Sequence, residues 1–440
     1  MNISSVANAS RPLRAARAHI HDVVLQHVEE AAHLRHVRSI LVQDPQVRLP
    51  QLAQLDERIA AHLDGISVAG AYGASLVRQA LERPGVGEVF AASVGAITDR
   101  DEDRLDKLLS VTDALRVSRS GLLSAFGWVS ATDLRGITRT LLETRNPWRR
   151  EVGLASCAMH GVDPGAAFDL ATREQGGDEH SALRARAFRA AGQCAGLDRI
   201  DACLTALSDA DERCRFAAAW SAVLLGDRTE GPEVLARIAG NKQGELTRRL
   251  SALRSVLKAI SPRRAQSMLA TLAKEPVPPR VLIQGIAIAG DPHYVPWLIA
   301  QMTDPKLARV AGEALSFITG LDLVRIGFEG QPAESLESST TGDPADDSVT
   351  VDEDENLPWP DPEKIAGWWR LNSHRFTAGT RYFIGEPPSV PHCLAVLGAG
   401  FQRQRAAAAE YLCLLRPGTP LFNTTAPAWR QQRLLGQMRA

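Results

Sequence analysis

The amino-acid sequence predicts an all-α fold in which pairs of helices repeat along the chain and stack as an α-solenoid. Three observations support this prediction: one helical pattern recurs at intervals of 29–35 residues, small apolar residues occupy its equivalent positions, and Gly usually follows its last position. Repeats of this length are typical of stacked helix pairs. The chain has 440 residues, of which 45% are hydrophobic, so it can bury a large core.

The repeat is clearest in six windows of thirteen residues, which span 149–161, 184–196, 214–226, 249–261, 278–290 and 308–320. The fourth residue of each window is small and apolar: Val152, Ala187, Ala217, Ala252, Val281 and Ala311. The fourth, eighth and eleventh residues share one helical face because they are separated by four and then three positions. Five windows end on Gly, which favours a left-handed residue at the helix end.

A short turn and a second apolar segment follow each window, so each unit is predicted to be a helix pair. Val234, Leu235 and Ile238 form one such segment. The pattern also fits 87–99 and 119–131, and it returns from Arg405. We therefore predict about eight helix pairs over 85–328 and a further repeat near the C-terminus. Each pair would bury its apolar face only against its neighbours.

The segments outside the array are predicted to be helical as well. Residues 1–84 are predicted to form an N-terminal cap with helices over 11–42, 51–63 and 71–83, because terminal repeats need a cover. Residues 359–440 are predicted to form a C-terminal helical region. Its aromatic residues favour a small core over an exposed ligand platform; they are Trp359, Trp368, Trp369, Tyr382 and Phe383.

Residues 329–358 are predicted to be a disordered acidic insert or linker. Between Arg325 and Lys364 the chain has 12 acidic residues and no basic one, so the remaining residues carry +11 although the net charge is -1. A polar segment of one charge sign does not gain enough from burial to become ordered. A solvated insertion is the favoured interpretation; the alternative is a segment that folds back on the basic array or competes for a basic partner.

Several classes of protein are not expected. No run of 18 uncharged apolar residues is present, and Arg11, Arg14 and Arg17 interrupt the first 25 residues, so we expect neither a membrane span nor a secretory signal but a cytoplasmic protein. The six Cys include no C-x-x-C pair and are interpreted as small buried hydrophobes. The sequence has neither a phosphate-binding loop nor a nucleophile elbow, so we expect no cofactor and no catalytic residue.

The N-terminal region is rich in His, and Glu30 and His33 have the E-x-x-H spacing that di-iron bundles use. Such bundles need a second copy of the motif, which the following helices lack. We therefore predict no metal site and interpret these residues as part of a helix surface, with metal binding as the less favoured alternative.

Arginines recur at or beside the starts of the repeat helices and could form a basic ridge along one edge of the array. The proposed ridge residues are Arg149, Arg184, Arg215, Arg249, Arg280 and Arg309. Such a ridge could bind an acidic protein or phosphates. In the favoured alternative these side chains pack on neighbouring helices and pair with Asp residues at the turns, such as Asp209, Asp211 and Asp304.

The repeat units resemble a known class. Asp211, Arg215, the run 217–219 and the run 224–227 are similar to the HEAT-like repeats that are also found in phycobilisome lyases, and Asp304, Arg309 and Gly320 follow the same pattern. This resemblance covers about residues 85–325. It implies a HEAT-like solenoid, an architecture used mostly by scaffolds, adaptors and transport receptors.

A second resemblance concerns the whole chain. The segments 26–32, 55–65 and 404–408 resemble an uncharacterised proteobacterial family of HEAT-like proteins, often encoded near type VI secretion effector cassettes. This resemblance implies a non-catalytic protein-binding scaffold or adaptor, accessory to loading of a type VI effector, spike or PAAR-like component. The alternative is a nucleic-acid-binding or base-repair HEAT-repeat enzyme that uses the Arg ridge.

Overall fold

A computed structural model describes residues 19–331 and 354–439, and this part of the chain contains 22 α-helices and no β-strand. The predicted all-α class is confirmed. The first nine helices are α1 (His21–Leu41), α2 (Leu49–Val68), α3 (Gly70–Ala80), α4 (Val86–Thr98), α5 (Glu102–Ala114), α6 (Arg119–Trp128), α7 (Ile137–Glu143), α8 (Pro147–His160) and α9 (Ala166–Thr172).

The following nine are α10 (Asp178–Gln193), α11 (Ile200–Thr205), α12 (Glu212–Leu225), α13 (Glu230–Gly240), α14 (Leu246–Ala259), α15 (Pro262–Leu272), α16 (Pro279–Ala289), α17 (Val295–Gln301) and α18 (Ala308–Thr319). The last four are α19 (Pro362–Asn372), α20 (Val390–Ala399), α21 (Gln402–Leu415) and α22 (Ala428–Arg439). None of these helices combines the length and the apolar composition needed to cross a membrane.

Apart from α2 and α3, the helices from α1 to α18 form two rows. In the first row each helix contacts the next: α1, α4, α6, α8, α10, α12, α14, α16 and α18. The second row consists of α5, α7, α9, α11, α13, α15 and α17, each packed on a first-row helix. Ala187, Ala252 and Ala311 are completely buried between the rows, as the repeat pattern predicts.

Glycines end four of the first-row helices in the predicted way. Gly161, Gly226, Gly290 and Gly320 follow α8, α12, α16 and α18, with φ of 66°, 116°, 72° and 73°. The same prediction was wrong at the end of α10. There Gly196 donates its N–H to the carbonyl of Ala191, which puts Ala195 into the left-handed position with φ 58°.

The N-terminal helices continue the first row, since α1 packs on α4 as well as on α2. Residues 11–18 of the predicted first helix lie outside the described residues. The apolar stripe that the sequence indicates on this helix includes Val23, Val24 and Leu34. Val24 and Leu34 are buried, but Val23 is 46% exposed and Val28 is buried instead.

The C-terminal helices turn back onto the array, and the two ends of the array also contact each other. α21 packs on α12, and α22 packs on α2. The carboxylate of Asp56 accepts the N–H of Ala428 at 2.7 Å, which satisfies one free donor at the start of α22. Arg48, at the start of α2, forms a 3.0 Å ion pair with Asp322, which follows α18. The described chain is therefore closed on itself.

Most of the predicted acidic insert, residues 332–353, lies outside the described residues, but its two ends belong to the fold. Gly330 donates to the carbonyl of Trp359 at 2.8 Å, so the two ends run side by side. Asp354 is buried and bonds the guanidinium of Arg280, while its backbone carbonyl accepts from Arg309 at 2.8 Å.

Candidate functional site

A segment before α20 lies directly across the C-terminal ends of first-row helices. The N–H of Tyr382 donates to the carbonyl of Gly290 at 2.8 Å, and the N–H of Ile384 donates to that of Phe317 at 2.6 Å. A Cβ on Gly290 would lie 2.1 Å from the oxygen of Tyr382, and one on Gly320 would lie 2.8 Å from that of Ile384. These glycines therefore allow a close backbone approach, a role that the helical pattern did not predict.

Two arginines of the C-terminal region bind the ends of further first-row helices and so hold this region on the array. Arg381 donates to the carbonyls of Leu257 and Lys258 at 2.6 Å and of Ile260 at 2.8 Å, where α14 ends. Arg430 donates in the same way to the carbonyls of Gly127 and Val129 at 2.9 and 2.8 Å, where α6 ends. The last carbonyls of a helix lack partners and carry a partial negative charge, so a guanidinium stabilises them.

The C-terminal region covers the ends of α4, α6 and α8 only in part, and a cleft of about 1320 Å³ opens there. On one side it is bounded by α2 and α3, and on the other by α20 and α22. Its apolar lining includes Leu63, Ile66, Val77, Val94, Val129, Met159, Leu394, Leu412, Leu421, Phe422 and Leu434. Gly161 also lines it, and a Cβ there would meet nothing within 4 Å, whereas one on Gly226 would touch Pro417. Among the described residues, the end of α8 is therefore left uncovered, whereas other helix ends are covered.

The charged residues that line the cleft are mainly basic. Arg104 pairs with Asp99 at 3.4 Å, and Arg430 is engaged with the end of α6. Arg416 and Arg433 also line the cleft, are exposed, and form no ion pair with any described residue. The cleft therefore combines an apolar interior with exposed cationic groups, as binding sites for amphipathic ligands commonly do.

An aromatic pair forms part of the wall. The rings of Trp128 and Trp429 meet edge to face, with centroids 4.7 Å apart and an interplanar angle of 88°. Trp429 is 43% exposed although it is a large apolar residue. Tryptophans that are only half covered are common at binding interfaces, because the ring offers both apolar area and an N–H donor.

His160 lies at the end of α8 beside these residues. Its Nε2 donates to the carbonyl of Phe126 at 2.8 Å. Burial lowers the pKa of His160 below its ordinary value and outweighs the opposing effect of this hydrogen bond, and the charge of Arg430 lowers the pKa further. The imidazole in the cleft is therefore held neutral.

This neutral His predicts a loss of stability in mild acid. In the unfolded chain His160 takes up a proton near its ordinary pKa of about 6.5. The unfolded state then binds more protons than the folded state. The free energy of unfolding therefore falls as the pH drops below about 6.5, and above that pH the contribution of His160 is not reduced. Urea denaturation at pH values of about 7 and 5.5 gives the free energy of unfolding at each pH. The difference between these two values should be smaller for His160→Gln than for the wild type. An identical pH dependence would contradict this role.

The N-terminal histidines meet in pairs. His27 Nδ1 lies 3.1 Å from His62 Nδ1, where α1 crosses α2, and His21 Nδ1 contacts the Tyr72 hydroxyl at 2.7 Å. His33 is exposed and takes no part in either pair. Among the described residues, no group of three or more His, Cys, Asp or Glu is placed to hold a metal ion.

The cysteines occupy the core, as predicted, with one difference. Cys157, Cys203, Cys214, Cys393 and Cys413 are buried and unpaired, while Cys194 is half-buried. Burial raises the pKa of Cys203 and of Cys413 to about 12. A raised pKa keeps these thiols protonated, and a protonated thiol is a poor nucleophile.

The six arginines of the proposed ridge all have partners within the chain. Arg184 pairs with Asp209 as the alternative interpretation predicts, and Arg149 bonds Asp106. The others contact backbone carbonyls or the end of the acidic insert: Arg215 with 209 and 210, Arg249 with 239, and Arg280 and Arg309 with 354. None of the six lines the cleft. Their role as an interaction ridge stays a prediction.

No protein-family model matches the chain, and searches of curated proteins and of solved structures also found no match.

Proposed function

We propose that the chain is a non-catalytic, protein-binding scaffold of the HEAT-like α-solenoid type, and that the cleft holds a segment of its partner. The observation that carries this proposal is that equivalent helix ends differ: some bind a segment of the same chain, and the end of α8 lies in the cleft. At Gly290 and Gly320 the helix ends hold a polypeptide segment of the same chain at hydrogen-bonding distance. At Gly161 no described residue lies within 4 Å of the position that a Cβ would take.

The size and lining of the cleft favour a polypeptide over a small metabolite. Sites for small molecules usually measure about 300–1,000 Å³, and the cleft has about 1320 Å³. Its interior would take apolar side chains, and Arg416 and Arg433 would face carboxylates on the same segment. A peptide bound in this way gains affinity from apolar burial and register from the charges.

The two rows of helices support a solenoid of helix pairs, because successive first-row helices contact each other along the chain. This solenoid would differ from an open one in having much of one edge occupied by its own C-terminal region. Access for a partner would then be concentrated at the cleft, near α3 and α22.

The class of partner rests on the resemblance of three segments to the proteobacterial family. We propose a type VI secretion effector, spike or PAAR-like component, bound in the cytoplasm before export. The nucleic-acid alternative gains no specific support, since five of the six ridge arginines bond carboxylates or backbone carbonyls of the chain, and only Arg249 is held by a single 3.4 Å contact.

Filling the cleft should abolish recovery of the partner. Ala74 is a half-buried residue of α3 that lines the cleft, so Ala74→Trp places an indole where the partner segment would lie. Arg433→Glu reverses an exposed charge in the lining and leaves the core untouched. The tagged full-length protein would be purified from its native host at physiological expression, and the co-purified proteins identified by mass spectrometry.

Ala61→Trp is the matched control, because Ala61 is exposed on α2 and does not line the cleft. The wild type and this control should retain a type VI effector, spike or PAAR-like protein, and both cleft variants should lose it at an unchanged melting temperature. Recovery of none of these proteins with the wild type would overturn the partner class. Equal recovery of the partner with the wild type, the control and both cleft variants would overturn the cleft as the binding site.

A further inference from the structure

A second cavity, of about 600 Å³, lies between the second-row helices α13 and α15. All of its lining residues lie between 236 and 281, so the C-terminal region contributes none of them. It is separate from the cleft, which no residue of this range lines. We refer to this second cavity as the groove.

The floor of the groove is an apolar face of α14. Leu246, Leu250 and Leu253 are spaced by four and three residues, so they share one side of the helix. Leu253 is buried, whereas Leu246 is 60% exposed. Met268 and Leu272 of α15 extend this apolar face into one wall and are only half-buried.

The opposite wall is formed by residues with very small side chains or none. It consists of Ala236, Ala239 and Gly240 on α13. A Cβ on Gly240 would meet no described residue within 4 Å, so the described part of the chain leaves the groove open on this side. Walls of small residues allow a second helix to approach closely, because the distance between helix axes depends on the side chains at the contact.

One cation in the groove has no carboxylate partner. Lys242 pairs with Glu275 at 3.3 Å, and Arg264 pairs with Glu233. Arg249 lies on α14 between Leu246 and Leu253, and its Nε reaches only the carbonyl of Ala239, at 3.4 Å. It forms no ion pair with any residue in the described part of the chain. A guanidinium in this position is complementary to a carboxylate on an incoming chain.

We propose that the groove binds an amphipathic α-helix of a partner protein, with the apolar face of that helix on Leu246, Leu250 and Leu253 and a carboxylate on Arg249. α14 has 14 residues and is therefore about 21 Å long. A helix of three to four turns would match this floor. Apolar residues at helical spacing with a flanking acidic residue are a known mode of recognition in such grooves. This surface is additional to the cleft and does not depend on it.

The test uses the full-length protein and a fluorescein-labelled model helix of about 16 residues, slightly longer than α14. The peptide has Leu along one face and Glu beside it, and a second peptide has Gln in place of every Glu. Fluorescence anisotropy should show saturable binding of the Glu peptide, about tenfold tighter than that of the Gln peptide, as expected for one charge-assisted contact. Arg249→Gln should remove this preference.

Gly240→Phe adds a ring at a position where a Cβ meets no described atom within 4 Å, and it should abolish binding of the Glu peptide. Leu246→Glu, at an exposed site, should weaken binding at least tenfold. Ala74→Trp, in the cleft, should leave binding unchanged. Equal affinity of the wild type for the two peptides, or unchanged binding to Gly240→Phe, would overturn the proposal. So would a loss of binding in Ala74→Trp, or self-association of the wild type in light scattering that Gly240→Phe abolishes, since a second copy would then be the occupant.

Discussion

Replacing Gly290 with Ala is expected to lower the free energy of unfolding by about 2–4 kcal/mol. Two effects add at this position. Gly290 has φ 72°, which an L residue adopts only at a cost, and its Cβ would lie 2.1 Å from the oxygen of Tyr382. The added carbon must displace the C-terminal segment and break the hydrogen bond from Tyr382. Urea denaturation of the purified variant measures the loss.

Gly161→Ala is the matched control. Gly161 ends α8 in the same conformation, with φ 66°, but a Cβ there would meet nothing within 4 Å. Only the conformational cost of about 1–2 kcal/mol applies. The difference between the two variants therefore reports how strongly the C-terminal segment is held on the array. If the two losses were equal, the segment would not be held at Gly290.

Replacing Arg405 with Met is expected to lower the free energy of unfolding by about 3–5 kcal/mol. Arg405 is completely buried in α21, and burial lowers its pKa to about 10. Its guanidinium donates to the carbonyl of Leu397 at 2.8 Å, to the side-chain oxygen of Gln431 at 2.5 Å and to that of Gln402. Met retains most of the volume but leaves three buried acceptors without donors, and each costs about 1–3 kcal/mol.

Arg139→Met is the control for this substitution, because Arg139 is 84% exposed and its one ion pair within the described residues is with Glu143, four residues away. Exposed pairs of this kind contribute at most about 0.5 kcal/mol. The two variants would be compared by urea denaturation under the same conditions. Similar losses would mean that Arg405 is not a structural element of the C-terminal region.

The helices themselves could be predicted because their information is local. The spacing of Ala408 and Leu412 after Arg405 indicated α21, and both residues are buried. The same pattern did not show that Arg405 would be buried too, since the acceptors that make this possible include Gln431, on another helix. Leu415, which the pattern placed in the core, is 42% exposed because the helix ends there.

The closure of the array could not be predicted in this way. Arg48 and Asp322 are separated by 274 positions, and Arg38 and the carbonyl of Thr425 by 387. No periodic pattern links residues so distant in sequence. For the same reason the cleft was missed: its walls join Ala74 on α3 with Leu394 and Trp429 near the C-terminus. The left-handed conformation of Gly290 was predictable, but its contact with Tyr382 was not.

Photo-crosslinking from inside the cleft tests the proposed function most directly. p-Benzoylphenylalanine would replace Ala74 in the cleft and, in a parallel strain, Ala61 on the exposed face of α2. Irradiation of the native host should produce a covalent adduct with a type VI effector, spike or PAAR-like polypeptide from position 74 and none from position 61. The absence of any polypeptide adduct at position 74, or the same adducts from both positions, would contradict a scaffold that binds its partner in this cleft.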